Sequence, residues 1–488
     1  LIRRPSGGRP WAGTIAALAA LMALVGACSG GDEATSPPPA ATETPGDAAV
    51  DSDTADDGVA AETANDGDGT GGDQQAGTDT PPGAGTRVEP GELPVLDGGR
   101  IITGDLDGPS AELITLSDEP RITAARYPRP TYEANPWSHW GQGIALDDGR
   151  VITAIGDHLG ADGNSYLFLY DPDANTLTRI ADVMSALDHE PGSWGYGKIH
   201  SQMVDAGDGG VYFTTYYGTR RGLTYSGSYA GDVLFRLDTQ TLDLQPLSVP
   251  VPGHGIPSLA TNGSGLLYGE AVNPLLPDEQ YPGGGLLVFD TSDPSASRFL
   301  EDPRHRVFRN VMTASDGTAW FAGDAGSLLR YDPVTGAVSV DDATTGRASL
   351  RASTGVASDG TIYGVTLDPF DLFAFRPGED PRPLGQALDY TTSLALTPDE
   401  GSVLYVPGAH GDAPTFDAAL LAVDTASGDQ TVVVELFDLL EDEFGVVVGG
   451  TYSITVDPDR NHAHIVFNAG ATADEPWGEL LFVVVELP

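Results

Sequence analysis

Two neighbouring stretches decide the fold: residues 310–323 read NVMTASDGTAWFAG, and residues 327–340 read SLLRYDPVTGAVSV. The first stretch holds two apolar segments on either side of an Asp-Gly turn. The second holds two more on either side of a Pro-Val-Thr-Gly turn. Short apolar runs rich in β-branched and aromatic residues indicate strands, and Asp, Gly and Pro indicate turns. Together the stretches predict a four-stranded antiparallel unit.

The same pattern recurs along the chain. Further copies begin near six points: Gly143, Ser201, Ser258, Gly355, Ser393 and Ser453. Several third strands are apolar runs that end in Asp: residues 166–171, 233–238, 286–290 and 419–424. A four-stranded unit of roughly 40 residues is typical of a β-propeller blade. The sequence therefore predicts an all-β protein, a β-propeller with seven four-stranded blades between residues 143 and 488.

The last copy holds three strands, expected at residues 453–456, 463–467 and 479–486. A fourth, outer strand can come from residues 122–126 or 101–105, which would join the two ends of the ring. Eight blades remain an alternative if residues 93–126 form a blade of their own. No run shows a sustained helical period, so a helical domain is not expected.

The first 28 residues have the order of a secretory signal. Three arginines lie among the first nine residues, an apolar run covers residues 15–24, and Val25-Gly26-Ala27-Cys28 follows. This ending resembles the lipobox of bacterial lipoproteins, which implies that Cys28 carries the lipid (palmitate). Cys28 is the single cysteine, so it cannot form an internal disulfide. We expect export and lipid anchoring at the outer face of the bacterial cytoplasmic membrane.

Residues 29–92 consist mainly of Ala, Asp, Thr, Gly and Pro. Such a segment buries too little apolar surface to offset the entropy of ordering it, so it is expected to be a disordered linker. The domain boundaries that follow are residues 1–28 for the lipoprotein signal, 29–92 for the linker and 93–488 for the propeller.

The charge of the chain limits its partners. It has 71 acidic and 24 basic residues, a net charge of −47. Nucleic acid is not expected to bind, because phosphate contacts need clustered Lys and Arg. Contact with the membrane is expected through the lipid anchor only. The expected partner is an extracellular small molecule, glycan or peptide, and the protein is expected to be a monomer.

The Tyr-Asp-Pro-x-Thr-Gly turns and the Asp-Gly strand pairs resemble those of bacterial propellers grouped with virginiamycin B lyase-like and quinoprotein-like proteins. The resemblance covers residues 143–488 and implies the architecture; it transfers no catalytic residue. The tryptophan-bearing repeat of quinone-dependent dehydrogenases is absent, because the turn at 332–336 is followed by Ala-Val-Ser-Val. A quinone cofactor is therefore not expected.

Residues 194–202, WGYGKIHSQ, hold the only lysine of the chain, Lys198, two positions before His200. The stretch runs into the start of an inner propeller strand, so we treat Lys198 and His200 as candidate catalytic residues. The alternative is that an acidic, arginine-using chain retained one lysine by chance.

Seven of the nine histidines fall in loops that lead into an inner strand or join a second strand to a third. In a propeller these loops share one face. Neutral imidazoles that converge there bind a divalent metal or act as acid and base. The candidate ligands are His139, His200, His254 and His410. The alternative is that long loops hold more polar residues of every kind.

Further residues on this face are candidates for binding a ligand. Aromatic rings can stack on a sugar or an apolar group, and arginines can hold a carboxylate. The candidates are Trp137, Trp140, Gln142, Gln202, Tyr216, Glu270, Arg306 and Arg309. The alternatives are that the aromatic rings cap the core and that the arginines balance an acidic surface.

Three hypotheses for function follow from the sequence. The first is a cell-surface, lipid-anchored propeller that binds an extracellular carbohydrate or peptide at its histidine-bearing face. The second is a lyase or hydrolase that depends on a divalent metal, and the third is an inert interaction scaffold. Whether the protein is an enzyme stays open at this point.

Overall fold

The computed structural model describes residues 99–189, 192–219, 222–224, 229–275, 283–306, 309–346, 350–367, 369–408, 419–472, 475 and 477–488. The expected signal segment with Cys28, the expected linker and His410 lie outside the described residues. Among the helices in these ranges, none has the length and apolar character needed to cross a membrane.

The first described strands belong to the outer edges of sheets built mainly from later parts of the chain. They are β1 (Ser110–Glu112), β2 (Ile114–Asp118) and β3 (Arg121–Arg126). The strands that follow form seven antiparallel sheets, and in each sheet the strands lie in chain order from the inner to the outer edge. We number these sheets as blades 1 to 7.

Blades 1 to 3 are followed in chain order. Blade 1 contains β4 (Ile144–Ala145), β5 (Val151–Gly156), β6 (Ser165–Asp171) and β7 (Thr176–Asp182), and is followed by helix α1 (Val183–Leu187). Blade 2 contains β8 (Lys198–Ile199), β9 (Val204–Asp205), β10 (Gly210–Tyr216), β11 (Leu234–Asp238) and β12 (Leu244–Ser248). Blade 3 contains β13 (Gly255–Thr261), β14 (Leu266–Val272), β15 (Gly285–Asp290) and β16 (Arg298–Glu301).

Blades 4 to 7 complete the ring. Blade 4 contains β17 (Val311–Thr313), β18 (Ala319–Ala322), β19 (Ser327–Asp332) and β20 (Ala337–Thr344). Blade 5 contains β21 (Leu350–Ser353), β22 (Ile362–Thr366), β23 (Asp371–Phe375) and β24 (Arg382–Gln386). Blade 6 contains β25 (Ala395–Leu396), β26 (Ser402–Tyr405), β27 (Ala419–Asp424) and β28 (Gln430–Glu435), and is followed by helix α2 (Phe437–Phe444). Blade 7 contains β29 (Val447–Asp457), β30 (His462–Gly470) and β31 (Glu479–Glu486).

The all-β propeller with seven blades confirms the architecture expected from the repeats. The Asp-Gly pairs form the turns between first and second strands, because glycine there adopts a positive φ that other residues resist. Gly149, Gly317 and Gly360 have φ angles of 83°, 83° and 86°. In each turn the preceding Asp accepts a hydrogen bond from the backbone two residues on, as Asp316 does from Thr318 N at 2.9 Å.

The core lies between the faces of neighbouring blades. Tyr268 and Leu286 of blade 3, for example, pack in one buried cluster with Val311 and Phe321 of blade 4. Each blade thus buries both faces against its neighbours, which explains why the central strands are almost continuously apolar. β5 and β10 are buried along their full length.

The two ends of the described chain meet in blade 7. β3 pairs with β31 antiparallel, with Ala124 opposite Val483, and β2 adds a further strand outside β3. This confirms that residues 122–126 supply the missing strand. The other candidate, residues 101–105, was wrong for this role: Ile102 instead exchanges two backbone hydrogen bonds with Leu244 at the edge of blade 2.

The alternative of an eighth blade was also wrong. β1 pairs with β7 of blade 1, and β2 and β3 belong to blade 7. The segment before residue 127 is therefore spread over the rims of blades 2, 1 and 7, because its short strands find partners on three existing sheets. This arrangement covers sheet edges that would otherwise expose unpaired backbone groups.

Candidate functional site

The loops that lead into inner strands and the loops that join second to third strands lie on one face of the ring, which we call the upper face. It includes residues 136–143, 157–164 and 387–394. Near the ring axis this face carries a group of contacting side chains that we call the axial cluster. Its members are Trp140, Lys198, His200, Arg351, Tyr390 and Tyr452.

Lys198 is almost fully buried, with 2% of its surface exposed. It lies on the two-residue strand β8, opposite Tyr216 of β10. Its Nζ atom lies 3.7 Å from the centroid of the Trp140 ring and 5.5 Å from that of Tyr216. The negative faces of these rings replace part of the hydration that the ammonium loses on burial. The predicted catalytic lysine is thus held between two predicted ligand-binding aromatics.

Trp140 is the centre of a stack of rings. Its ring lies parallel to that of Trp477, at 4° and 5.3 Å between centroids, and contacts His158 at 5.3 Å and Tyr452 at 4.7 Å. Its Nε1 donates to Ser138 Oγ at 2.8 Å. The indole is therefore satisfied at its polar edge and offers its faces to neighbours.

His200 directly follows β8 and, like Lys198, lies near Trp140 and Tyr216. Its ring centroid is 6.1 Å from that of Trp140 and 5.3 Å from that of Tyr216. His200 Nδ1 lies 3.0 Å from the carbonyl oxygen of Pro257. Because a carbonyl only accepts, Nδ1 carries the hydrogen, and in the neutral ring Nε2 is the basic nitrogen.

Arg351 adds a second buried cation, with 4% of its surface exposed. Its Nε donates to the Tyr390 hydroxyl at 2.8 Å, and its Cζ lies 5.4 Å from the Tyr390 ring centroid and 5.9 Å from that of Tyr452. Its Nη2 is buried and has no hydrogen-bond partner among the described residues. A guanidinium that is buried to this extent among aromatic rings is normally paired with an anion.

Two β-bulges aim these side chains. In β21 the register against β22 shifts between Leu350 and Ala352, which leaves Arg351 as the extra residue. In β29 the register against β30 shifts between Thr451 and Ser453, which leaves Tyr452 as the extra residue. Bulges bend a strand and redirect one side chain, and they occur often beside functional sites.

The cluster lies on the ring axis, because it joins blades that are not neighbours. Arg351 of blade 5 contacts Tyr452 of blade 7, and His200 of blade 2 also contacts Tyr452, at 6.3 Å between centroids. Trp140 leads into blade 1, and Tyr390 leads into blade 6. Inner strands of non-neighbouring blades approach one another only around the axis. Five of the seven blades thus contribute a side chain.

Two predicted ligand-binding residues join neighbouring blades. Gln142 Nε2 donates to the carbonyl of Ile454 at 2.9 Å, which links blade 1 to blade 7. Gln202 Oε1 accepts from the backbone of Leu259 at 3.0 Å, which links blade 2 to blade 3. Both amides are engaged by backbone groups near the axis.

Glu270 lies on β14 and is fully buried with His305. His305 Nε2 lies 3.0 Å from Glu270 Oε1, and both side chains have no exposed surface. Glu270 Oε2 accepts from the backbone of Asn310 at 2.8 Å and from Ser258 Oγ at 3.2 Å. This carboxylate therefore ties the start of blade 4 to blade 3.

Three other predicted ligand-binding residues have contacts with residues outside the axial cluster. Trp137 packs with Tyr132 and Tyr166, at 5.1 Å and 5.9 Å between centroids. Arg306 forms an exposed ion pair with Asp324. The backbone carbonyl of Arg309 accepts from Gln202 at 3.4 Å.

Three of the histidines chosen as metal ligands, His139, His200 and His254, bond to backbone carbonyls. His139 Nδ1 lies 2.6 Å from Ala154 O, and burial lowers the pKa of His139 to about 4. Both ring nitrogens of His254 lie near carbonyls, Nδ1 at 2.8 Å from Pro252 O and Nε2 at 3.0 Å from Gly283 O. In the part of the chain that the structure describes, no three His, Cys, Asp or Glu side chains form a group suited to a metal. His410 lies outside that part, and the metal site stays a prediction.

Arg351, Tyr390, Tyr452 and Trp477 were not predicted from the sequence. The positional rule that selected His200, a place at the entrance of an inner strand, applies equally to Arg351, Tyr390 and Tyr452. The bulges that turn Arg351 and Tyr452 toward the axis leave no mark in the sequence, and Trp477 comes from the loop between β30 and β31.

Solved structures similar to this chain were found at low identity. A chain of the mitotic checkpoint complex has a TM-score of 0.47 and 11% identity, over 86% of this chain and 99% of that one. Virginiamycin B lyase from Staphylococcus aureus has a TM-score of 0.46 and 11% identity, over 74% and 98%. An oligogalacturonate lyase in complex with manganese has a TM-score of 0.47 and 13% identity, over 78% and 98%. No protein-family model and no curated protein sequence matches the chain. These similarities concern the fold alone.

Proposed function

We propose that this protein is a ligand-binding β-propeller that takes up an extracellular carbohydrate, peptide or other small molecule at the axial cluster. One observation carries the proposal: aromatic and cationic side chains from five blades meet at the axis of the upper face. Rings with a few convergent polar groups are typical of small-molecule sites.

We further propose that the protein is held at the outer face of the bacterial cytoplasmic membrane by a lipid on Cys28. The order of charged, apolar and small residues before Cys28 supports this. The acidic segment at residues 29–92 would then separate the propeller from the membrane, which leaves the upper face accessible to ligands outside the cell.

Binding is tested with the purified full chain on glycan and peptide arrays. Trp140→Leu removes the central ring of the cluster, and Trp320→Leu is the control, because Trp320 is also buried but packs in a different cluster and is not a candidate ligand-binding residue. The proposal predicts that the parent and Trp320→Leu retain a signal that Trp140→Leu loses, with all three chains folded by their unfolding curves. An array with no signal for the parent, or one that Trp140→Leu leaves unchanged, favours the inert scaffold.

A second candidate is the divalent-metal-dependent lyase or hydrolase. The position of both Lys198 and His200 beside the Trp140 ring supports it, because His200 Nε2 is the basic nitrogen of the neutral ring and can move a proton. Metal content of the dialysed full chain, measured beside His200→Ala, separates the candidates. A near-stoichiometric metal that drops in His200→Ala favours the enzyme.

A further inference from the structure

We infer that the ligand carries a carboxylate and that Arg351 binds it. This inference rests on the proposed function, because it names the chemical class of ligand for the same axial cluster. The observation that carries it is the set of contacts around the Arg351 guanidinium, which is 96% buried and has no carboxylate partner among the described residues.

The contacts of Arg351 leave one side of its guanidinium unsatisfied. A guanidinium has five N–H donors in a fixed plane. Its Nε is used by the Tyr390 hydroxyl, and the rings of Tyr390 and Tyr452 lie near Cζ. Nη2 is buried without an acceptor in the described residues. A buried donor on a charged group costs free energy when it has no acceptor. An acceptor supplied by a bound ligand would recover this free energy.

A carboxylate fits this position better than a phosphate. The plane of a guanidinium matches the plane of a carboxylate, and the two form parallel hydrogen bonds. The chain has a net charge of −47, which repels a dianion more strongly than a monoanion. Lys198 contributes a second positive charge to the same ring cluster, because it lies over the Trp140 ring, which in turn contacts Tyr452.

The rings indicate what is attached to the carboxylate. Trp477 is half-buried at the edge of the cluster and stacks on Trp140 at 4°. Its partly exposed side offers a flat apolar surface to a planar or ring-shaped group. The ligand class is thus a small organic acid with a flat or cyclic body.

The test measures the dissociation constants of benzoate and of its uncharged isostere benzamide for the purified full chain by calorimetry at constant ionic strength. We expect benzoate to bind at least tenfold more tightly than benzamide, a preference of about 1.4 kcal/mol. Arg351→Gln should remove the preference, and Arg351→Lys should restore part of it. Arg376→Gln is the control, because Arg376 is an exposed arginine that pairs with Asp359 and is not a candidate ligand-binding residue, so this variant should retain the preference.

Several outcomes overturn the inference. They are equal affinities for benzoate and benzamide, no binding of either, a preference that survives in Arg351→Gln, and tighter binding of inorganic phosphate than of benzoate. If Arg351→Gln does not fold, the preference for benzoate over benzamide is compared between the parent and Arg351→Lys. A preference as large in Arg351→Lys as in the parent overturns the inference. The proposed function can hold while this inference fails. That result would be an array signal for an uncharged ligand that depends on Trp140, together with equal affinities for benzoate and benzamide.

Discussion

The Nζ atom of Lys198 lies 3.7 Å from the centroid of the Trp140 ring, and both side chains are buried near the ring axis. Lys198 is the only lysine of a chain with 71 acidic residues. Burial of an ammonium costs free energy that a ring face offsets only in part. This burial places the single lysine of the chain among the rings where we propose that the ligand binds.

This relationship predicts the effect of Lys198→Met, which keeps the length of the side chain and removes its charge. We expect the free energy of unfolding to change by no more than about 1.5 kcal/mol or to increase, because an apolar side chain of similar volume fits the same space. Array signals and benzoate binding should fall. The measurements are urea unfolding and calorimetry. A loss of stability with binding unchanged would assign Lys198 to the core.

The buried pair of Glu270 and His305 should support the fold. Glu270→Ala removes the acceptor for His305, for Ser258 and for the backbone of Asn310, so we expect a loss of about 3–5 kcal/mol. The matched control is Glu301→Ala on an exposed strand position, expected within about 0.5 kcal/mol of the parent. Equal unfolding midpoints for both variants would contradict this account.

Stability should depend on pH through His464. It lies on β30 between Tyr170 and Phe482, and burial lowers its pKa to about 3, from about 6.5 in an unfolded chain. The unfolded chain therefore binds more protons between these values, so stability is lost as the pH falls from about 6.5 toward 3. His464→Phe removes this contribution.

We expect the unfolding free energy of His464→Phe to fall less than that of the parent between about pH 7 and pH 4. The difference between the two chains is the test, because the buried carboxyls of Asp157 and Asp232 have raised pKa values and act in the opposite direction. Parallel curves in urea titrations across this range would show that His464 does not contribute.

The pairing of β3 with β31 should hold the ring closed. Ala124 is fully buried between β2 and β31, opposite Ile114 and Val483. Ala124→Pro removes a backbone donor from this interior strand, and we expect a loss of about 3 kcal/mol. Ala124→Gly retains the donor and should lose only about 1 kcal/mol. The midpoints of thermal unfolding of the two variants are compared. Similar midpoints would mean that the pairing of β3 with β31 adds little to the stability of the propeller.

The repeats were sufficient to predict the fold. Asp-Gly and Asp-Pro turns recur at fixed places between apolar runs, and turn chemistry is local, so blades could be counted from residues alone. The path of residues 99–118 could not be predicted, because strands this short take whichever sheet edge they reach. The segment at 122–126 is apolar enough to be buried, and it was one of the two segments predicted to supply the closing strand.

The site was predicted only in part. Trp140, Lys198, His200 and Tyr216 lie together as their positions in the repeats suggested. Arg351 and Tyr452 were not predicted, because each lies at a bulge, and a bulge depends on how two strands pair. The position of Glu270 in the repeats indicated that it lies near the axis. Its contacts with His305 and Asn310 could not be predicted, because they depend on how the next blade packs.

The central claim, that the axial cluster admits a ligand, is tested most directly by acetylation of Lys198. As the only lysine, it can be followed by mass spectrometry of its peptide after treatment of the native full chain with an amine-reactive acetyl ester. We predict that Lys198 reacts in the native chain, more slowly than in urea, and that benzoate or an array ligand slows the reaction further. Complete protection of Lys198 in the native chain, under conditions that acetylate the unfolded chain fully, would contradict the claim and make the cluster a sealed part of the core.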